Sequence, residues 1–223
     1  MTVESKAKRK ARAVRIMAIL KKTYPNARIA LNFNNPLELL VATILSAQCT
    51  DKRVNMVTEF LFEKYRTADA YAAADPHVFE DEIRTTGFFH NKTRSVIGAA
   101  TRIAKEFKGK VPDTMEDLLT LPGVARKTAN VVLSGAFGKS EGVVVDTHVS
   151  RVSQRLGLTE RKDNAGDKIE ADLKELVPRQ DWIDAGNMMI WHGRMICTAR
   201  RPKCAECPLN KLCPSAFKAS DES

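Results

Sequence analysis

Four cysteines, Cys197, Cys204, Cys207 and Cys213, stand in the last quarter of a 223-residue chain that holds one other, Cys49. Their spacing is C-x6-C-x2-C-x5-C, and Pro202, Pro208 and Pro214 punctuate the run with turns. Four thiolates gathered by turns can converge on one centre, as an all-thiolate zinc site or an iron–sulfur cluster requires. Disulfides are the alternative in a small secreted domain. This chain has no apolar signal segment, however, and is long enough to bury a core without cross-links. Zinc is the stronger competitor. Structural zinc sites usually come as two C-x2-4-C knuckles, and only Cys204 and Cys207 form one, so the longer gaps favour a cluster.

A second kind of chemistry is offered by Leu121-Pro-Gly-Val-Ala-Arg-Lys-Thr-Ala129. Pro122 fixes its own φ and Gly123 permits positive φ, so the chain can reverse sharply and open a helix whose first amides point outward. Such amides bind anions, phosphate above all, although a plain helix–helix turn would satisfy Pro-Gly equally well. Lys127 falls in the first turn of that helix beside Arg126. A lysine amine attacks carbon only when neutral, and the positive end of the helix dipole and a neighbouring cation both push its pKa down. Alone, a lysine there is an ordinary solvated residue. In Val145-Asp-Thr-His-Val-Ser-Arg151, Asp146 alone is an ordinary helix N-cap.

The hairpin segment resembles the helix-hairpin-helix of the DNA base-excision glycosylases, whose hairpin reads L-P-G-V-G followed by R/K-K-T-A. The Val145 segment is similar to the V-D-T-H-V/I-x-R stretch that carries the essential aspartate of those enzymes. With the cysteine tail, in the same order and spacing, these motifs resemble the endonuclease III family. The similarity extends to Pro36-Leu-Glu-Leu-Leu40 and Leu45-Ser-Ala-Gln-Cys-Thr-Asp51, and so covers nearly the whole chain beyond its N-terminal tail.

The resemblance implies an all-α fold of two helical domains with a DNA groove between them. Residues 30–140 would form a helical barrel that contains the helix-hairpin-helix and Lys127. Residues 141–223 would form an iron–sulfur domain that contributes Asp146, and residues 1–29 a tail and a helix that returns to pack on it. The four cysteines would hold a 4Fe-4S cluster. The implied activity is that of a bifunctional glycosylase and abasic-site lyase acting on oxidised pyrimidines in double-stranded DNA. Lys127 would attack the sugar C1′, the damaged base would leave, and a Schiff base with the opened sugar would undergo β-elimination and nick the strand. Asp146 would stabilise the oxocarbenium-like charge at C1′ and manage the lysine's proton.

A glycosylase cannot reach C1′ inside stacked duplex, so the nucleotide must be flipped out at a cost of a few kcal/mol. By resemblance Gln48 plugs the vacated space. Phe88, in Gly87-Phe-Phe-His-Asn-Lys92, would be a wedge at a position the family usually fills with leucine or another apolar residue. One of Phe88 and Phe89 is expected to pack in the core instead. Gly123 and Ala125 of the hairpin would approach phosphate. Arg200 and Lys203, with Arg201, lie on a loop stiffened by Pro202 between the first two cysteines and would clamp phosphate, a solvated charged loop being the alternative.

Ala125 departs from the family's second hairpin glycine. If that position needs positive φ, alanine strains the turn by about 1 kcal/mol or more; if glycine only admits a close phosphate, the methyl loosens that contact. Cys49 reads as a buried thiol rather than a ligand. An adenine-specific mismatch branch of the superfamily usually lacks the hairpin lysine and carries a further C-terminal domain, so Lys127 and the end at Ser223 speak against it. A noncatalytic DNA-binding module is opposed by the presence of both Lys127 and Asp146.

These residues need helices to position them, and helical periodicity dominates the chain. Leu37, Leu40, Val41, Ile44 and Leu45 share one face after Pro36, and Val14, Met17 and Ala18 mark an earlier helix. Further helices are expected at 51–65, 93–107, 114–120, 126–137, 147–156 and 166–176, with Val143–Val145 an extended linker. The 43% hydrophobic content supplies a core, and no stretch approaches the roughly 18 apolar residues of a membrane helix. A soluble, monomeric, cytoplasmic protein without a membrane partner is expected, nucleoid-associated if bacterial. A net charge of +9 and a pI near 9.4 point to a polyanionic partner. The basic run Lys6, Lys8, Arg9, Lys10, Arg12 lacks the aromatic-rich apolar face of a membrane helix, which favours nucleic acid. Residues 1–8 and Ser220–Ser223 read as unstructured.

Overall fold

Most helices here begin at a residue chosen to accept their first amides. Ser5, Asn35, Thr50, Thr67, Asp75, Thr114 and Asp146 each receive a backbone N–H two or three positions ahead. A computed structural model describes residues 4–163 and 165–218, and its helices in order are α1 (Lys6–Thr23), α2 (Pro36–Leu45), α3 (Asp51–Lys64), α4 (Ala68–Ala72), α5 (Pro76–Ile83), α6 (Phe89–Glu106), α7 (Met115–Leu119), α8 (Arg126–Phe137), α9 (Thr147–Arg155), α10 (Gly166–Leu176) and α11 (Trp182–Met195). Short 3-10 turns occupy Arg84–Thr86, Arg179–Asp181 and Asn210–Leu212. No β-strand occurs among the described residues, so the all-α expectation holds and Val143–Val145 is irregular chain.

The chain divides into two units, one of Ile29–Glu141 and one of Met1–Arg28 with Gly142–Ser223. In the first, α2 is nearly all apolar: Leu39, Leu40, Val41, Ala42, Ile44 and Leu45 are buried, and it packs on α8, α3 and α6. Each such leucine or isoleucine contributes about 1.5–3 kcal/mol on burial. Helices α4 and α5 are too short to hold themselves. They are fixed by an aromatic cluster in which Tyr65 stacks on Tyr71 at 5.0 Å and Phe79 meets both edge-on at 5.6 and 6.1 Å.

In the second unit α1 packs on α10 and α11, and α11 on α9. Arg12 ties the start of the chain to its end, donating to the carbonyls of Leu156, Gly157 and Leu212 while Glu4 accepts two more of its N–H groups at 2.9 and 2.7 Å. That bidentate pairing holds the Glu4 carboxyl below its usual range.

Several expectations change. The basic start is helical from Lys6, and Arg12 is a structural tie rather than part of a free basic run. The buried face of α1 is Ala13, Ile16, Met17 and Leu20, whereas Val14 and Ala18 are exposed. Helix α6 starts four residues earlier than the periodicity indicated, because Phe88 begins it in a left-handed conformation without any capping side chain. Helices α4, α5 and α11 were not foreseen. Residues 1–3 and Ser220–Ser223 lie outside the described residues.

Helix α2 carries the most complete cap. Asn35 Oδ1 accepts from Glu38 N at 3.0 Å, while the Glu38 carboxylate accepts from Asn34 N at 2.6 Å and Asn35 Nδ2 at 2.9 Å. Replacing Asn35 by Ala is therefore expected to cost about 1 kcal/mol, measured as a lower urea midpoint at unchanged slope.

Candidate catalytic and metal-binding residues

The hairpin joins α7 to α8 and is fastened by its apolar residues. Leu121 and Val124 are buried, Val124 N donates to Leu121 O at 3.1 Å, and Arg102 donates to Thr120 O at 2.7 Å. Gly123 has φ +75°, and a Cβ there would sit 2.5 Å from Ser95 Cβ and 2.6 Å from Ser95 Oγ. Conformation and space both require glycine. Ala125 has φ −92° and ψ 170°, an extended N-cap conformation open to any residue. Alanine therefore does not strain the hairpin. No side chain caps α8, in contrast to α2, α3, α5 and α9. Lys127 lies exposed in the first turn of this uncapped helix.

Asp146 belongs to the other unit, where it is half-buried and begins α9 as its N-cap; its Oδ1 accepts from Val149 N at 2.8 Å. Arg151, one turn on, donates to His148 Nδ1 at 3.1 Å, Gly193 O at 2.9 Å and Cys197 O at 3.1 Å. Burial holds His148 below its usual pKa, with the Asp146 charge opposing and Arg151 reinforcing that effect. An acceptor at Nδ1 leaves the ring proton of the neutral imidazole on Nε2.

Gln48 and Phe88 share an uncommon backbone. Both are exposed, and both adopt a left-handed conformation, with φ 52° and 50°. Phe88 is 62% exposed while Phe89 packs against the core of its unit, which settles which of the two phenylalanines is the core residue. Cys49 is half-buried against the same core.

All four C-terminal cysteines line one pocket, together with Arg155 and His192. Burial pushes the Cys207 and Cys213 thiols up, and the neighbouring thiols add to the effect. Such a group of acidic donors resists ionisation unless a cationic centre neutralises it, and an all-thiolate set is the one that iron–sulfur chemistry uses. The pocket brings the four thiols of Cys197, Cys204, Cys207 and Cys213 to one lining.

The surroundings of the pocket were not legible from the cysteine spacing. Arg155 donates to the carbonyls of Thr198 and Ala199 at 2.7 Å each and approaches Cys197 Sγ at 3.5 Å. His192, buried and held near pKa 4 by that burial, lies between the Tyr24 hydroxyl at 3.0 Å and Cys207 Sγ at 3.5 Å. Above this floor Arg200 and Lys203 are exposed on a loop closed by Thr198 Oγ1 donating to Arg201 O at 2.7 Å and Lys203 N donating to Ile196 O at 3.0 Å.

Two outcomes are expected. Cys204→Ser should lose the visible iron–sulfur absorption and lower the melting temperature, the mark of a group that binds only the folded chain. Gly123→Ala should destabilise by about 1–2 kcal/mol from its φ alone, whereas Ala125→Gly should move stability by less than about 1 kcal/mol; urea titrations of both compare them.

Comparison with known proteins places these features. Residues 41–179 match the HhH-GPD superfamily of base excision DNA repair proteins, and residues 197–213 match the iron–sulfur binding domain of endonuclease III, bounded by the first and last cysteines of the pocket. Endonuclease III of Synechocystis sp. is 56% identical over 94% of this chain and 95% of its own, and that of Bacillus subtilis 44% identical over 87% and 88%. The solved structure of a trapped endonuclease III–DNA covalent intermediate superposes with a TM-score of 0.88 at 42% identity, covering 94% of this chain and 97% of the other. The cofactor is a 4Fe-4S cluster. By length, motif order and fold, the chain belongs to the endonuclease III family of HhH-GPD base excision DNA repair proteins.

Proposed function

We propose that Lys127 and Asp146 are the catalytic residues with which this chain, a bifunctional DNA glycosylase and abasic-site lyase of base excision repair, removes oxidised pyrimidines from duplex DNA. The observation that carries the assignment is the exposure of Lys127 in the first turn of an uncapped helix directly after the hairpin. Amides of such a turn can hold a phosphate of the damaged strand and bring the neighbouring sugar to the amine.

In its neutral form the Lys127 amine attacks C1′ as the bond from C1′ to the damaged base breaks. The sugar ring then opens to a Schiff base between Nζ and C1′. Loss of a proton from C2′ breaks the C3′–O bond, which nicks the strand, and water finally hydrolyses the imine to free the lysine. The relative trapped in covalent linkage to DNA supports chemistry of this kind.

Asp146 supplies fixed negative charge for the cationic sugar and a place for the lysine's proton. Capping and catalysis are compatible in one carboxylate. The hydrogen bond from Val149 N locks its orientation, so no reorganisation is needed as charge develops. Gln48 fills the space left by the flipped nucleotide and Phe88 wedges the neighbouring step.

Cys197, Cys204, Cys207 and Cys213 hold the cluster, which when bound cross-links the C-terminal segment and presents Arg200 and Lys203 to phosphate. We read the protein as a cytoplasmic monomer, nucleoid-associated if bacterial.

The test is borohydride trapping on a duplex with one thymine glycol. A covalent protein–DNA band on the lesion strand is expected from the wild type and none from Lys127→Ala, with DNA binding retained by the variant; trapping by Lys127→Ala removes that residue from the mechanism. Asp146→Asn keeps the N-cap, since asparagine caps as well as aspartate. It should leave the melting temperature in place while slowing single-turnover excision by about 10² or more. An unchanged rate would reduce Asp146 to a cap.

A further inference from the structure

Lys92 is the least expected side chain in the first unit. It is 4% exposed, although an ammonium is among the costliest groups to bury. It also sits in the first turn of α6, where the positive end of the helix dipole disfavours a cation. Burial pulls its pKa down, and the Cys49 thiol, next to Gln48, opposes that shift in part. A methionine would fill the same volume without these costs, so the charged donor must serve something that packing alone does not.

What it serves is visible in its contacts. Lys92 Nζ donates to Thr86 O at 2.7 Å, and Lys92 N donates to Phe88 O at 3.1 Å. The ammonium thus holds the backbone just before Gly87, while the backbone N–H makes the first ordinary helical bond of α6 just after it. Thr86 is itself buried and donates from Oγ1 to Ile83 O at 2.8 Å, while Gly87 N donates to Arg84 O at 3.2 Å. On the far side Phe89 packs into the core, with the Arg84 guanidinium 5.0 Å from its ring centre. Phe88, between these anchors, is left-handed and exposed, and it begins α6 without a capping side chain. A non-glycine residue in that conformation persists only where its surroundings hold it.

We propose that Lys92 is a positioning residue for base extrusion: its buried ammonium locks the Thr86–Phe88 turn so that the Phe88 ring is held out, pre-set to enter the duplex. Burial excludes Lys92 itself as a second Schiff-base nucleophile. The proposal rests on the wedge role given to Phe88 above, and a rigid wedge gains by not having to order its loop on binding.

A double-mutant cycle tests it. Single-turnover rates with saturating enzyme are compared for wild type, Lys92→Met, Phe88→Ala and the double variant, on a duplex with one thymine glycol and on single-stranded DNA with a preformed abasic site. The measured quantity is the ratio of the two rates, which general destabilisation would not move. Lys92→Met should lower this ratio roughly ten- to hundredfold, the scale of a misplaced group near the chemistry, and should lower it no further in the Phe88→Ala background. Lys92→Gln, which keeps a neutral donor, should recover part of the loss and covers the case in which methionine unfolds the protein.

Multiplicative losses in the double variant, or equal losses on both substrates, overturn the proposal. If Phe88→Ala lowers the ratio and neither Lys92 variant does, Lys92 alone is excluded; an unchanged ratio with Phe88→Ala removes the wedge reading and the proposal with it.

Discussion

Irregular chain cannot satisfy its own backbone carbonyls, and in this protein buried or half-buried cations reach out from helices to do so. Arg12 holds the carbonyls of Leu156, Gly157 and Leu212; Arg151 holds those of Gly193 and Cys197; Arg155 holds those of Thr198 and Ala199; and Lys92 holds that of Thr86. The segments so held lie beside the cysteines of the pocket or beside Phe88. A charged donor makes a stronger and more directional bond to a carbonyl than a neutral one, and a guanidinium can serve two or three carbonyls at once. The loops are therefore held at several carbonyls each or at their turns, although they have no ladder of their own.

The same economy explains the cysteine pocket. Burial and mutual proximity push the Cys207 and Cys213 thiols up, and the segment from Cys197 to Cys213 has one 3-10 turn to support it. What the polypeptide supplies is a floor of Arg155, His192 and Tyr24, all belonging to helices or their ends. The cluster supplies the remaining cross-links, and the exposed basic loop above depends on both.

Most helices were legible in the sequence because Asn, Thr, Ser and Asp caps precede clear apolar faces, as with Asn35 before α2 and Thr50 before α3. Helices α4 and α5 were not, since five and eight residues give too little periodicity and their stability lies in Tyr65, Tyr71 and Phe79. Helix α11 hides for the opposite reason: glycine, histidine and methionine lie on its buried side, so no plain apolar stripe marks it. For α1 the period was right but the phase was wrong, and a shift of one position exchanges Val14 for Ala13. Lys127, Asp146 and the cysteines could be singled out as candidates by residue type and spacing; the structure adds that Lys127 and Asp146 stand at helix starts and that the cysteines line one pocket. The arginines that hold their loops were not legible, because a cation that binds carbonyls leaves no pattern in sequence; Arg151 and Arg155, one turn apart in α9, could equally have been a solvated face.

Ala125 shows how a backbone angle changes the meaning of a substitution. From sequence alone, losing a glycine at a hairpin suggests strain, and strain would lower stability wherever the protein is found. With φ at −92° the alanine is at ease, so it costs this chain no backbone strain. Gly123, two residues earlier, is different: its φ of +75° and the Ser95 side chain against it admit nothing larger. One glycine makes the turn, and the other position, at the uncapped start of α8, carries a methyl group without disturbing the fold on which Lys127 stands.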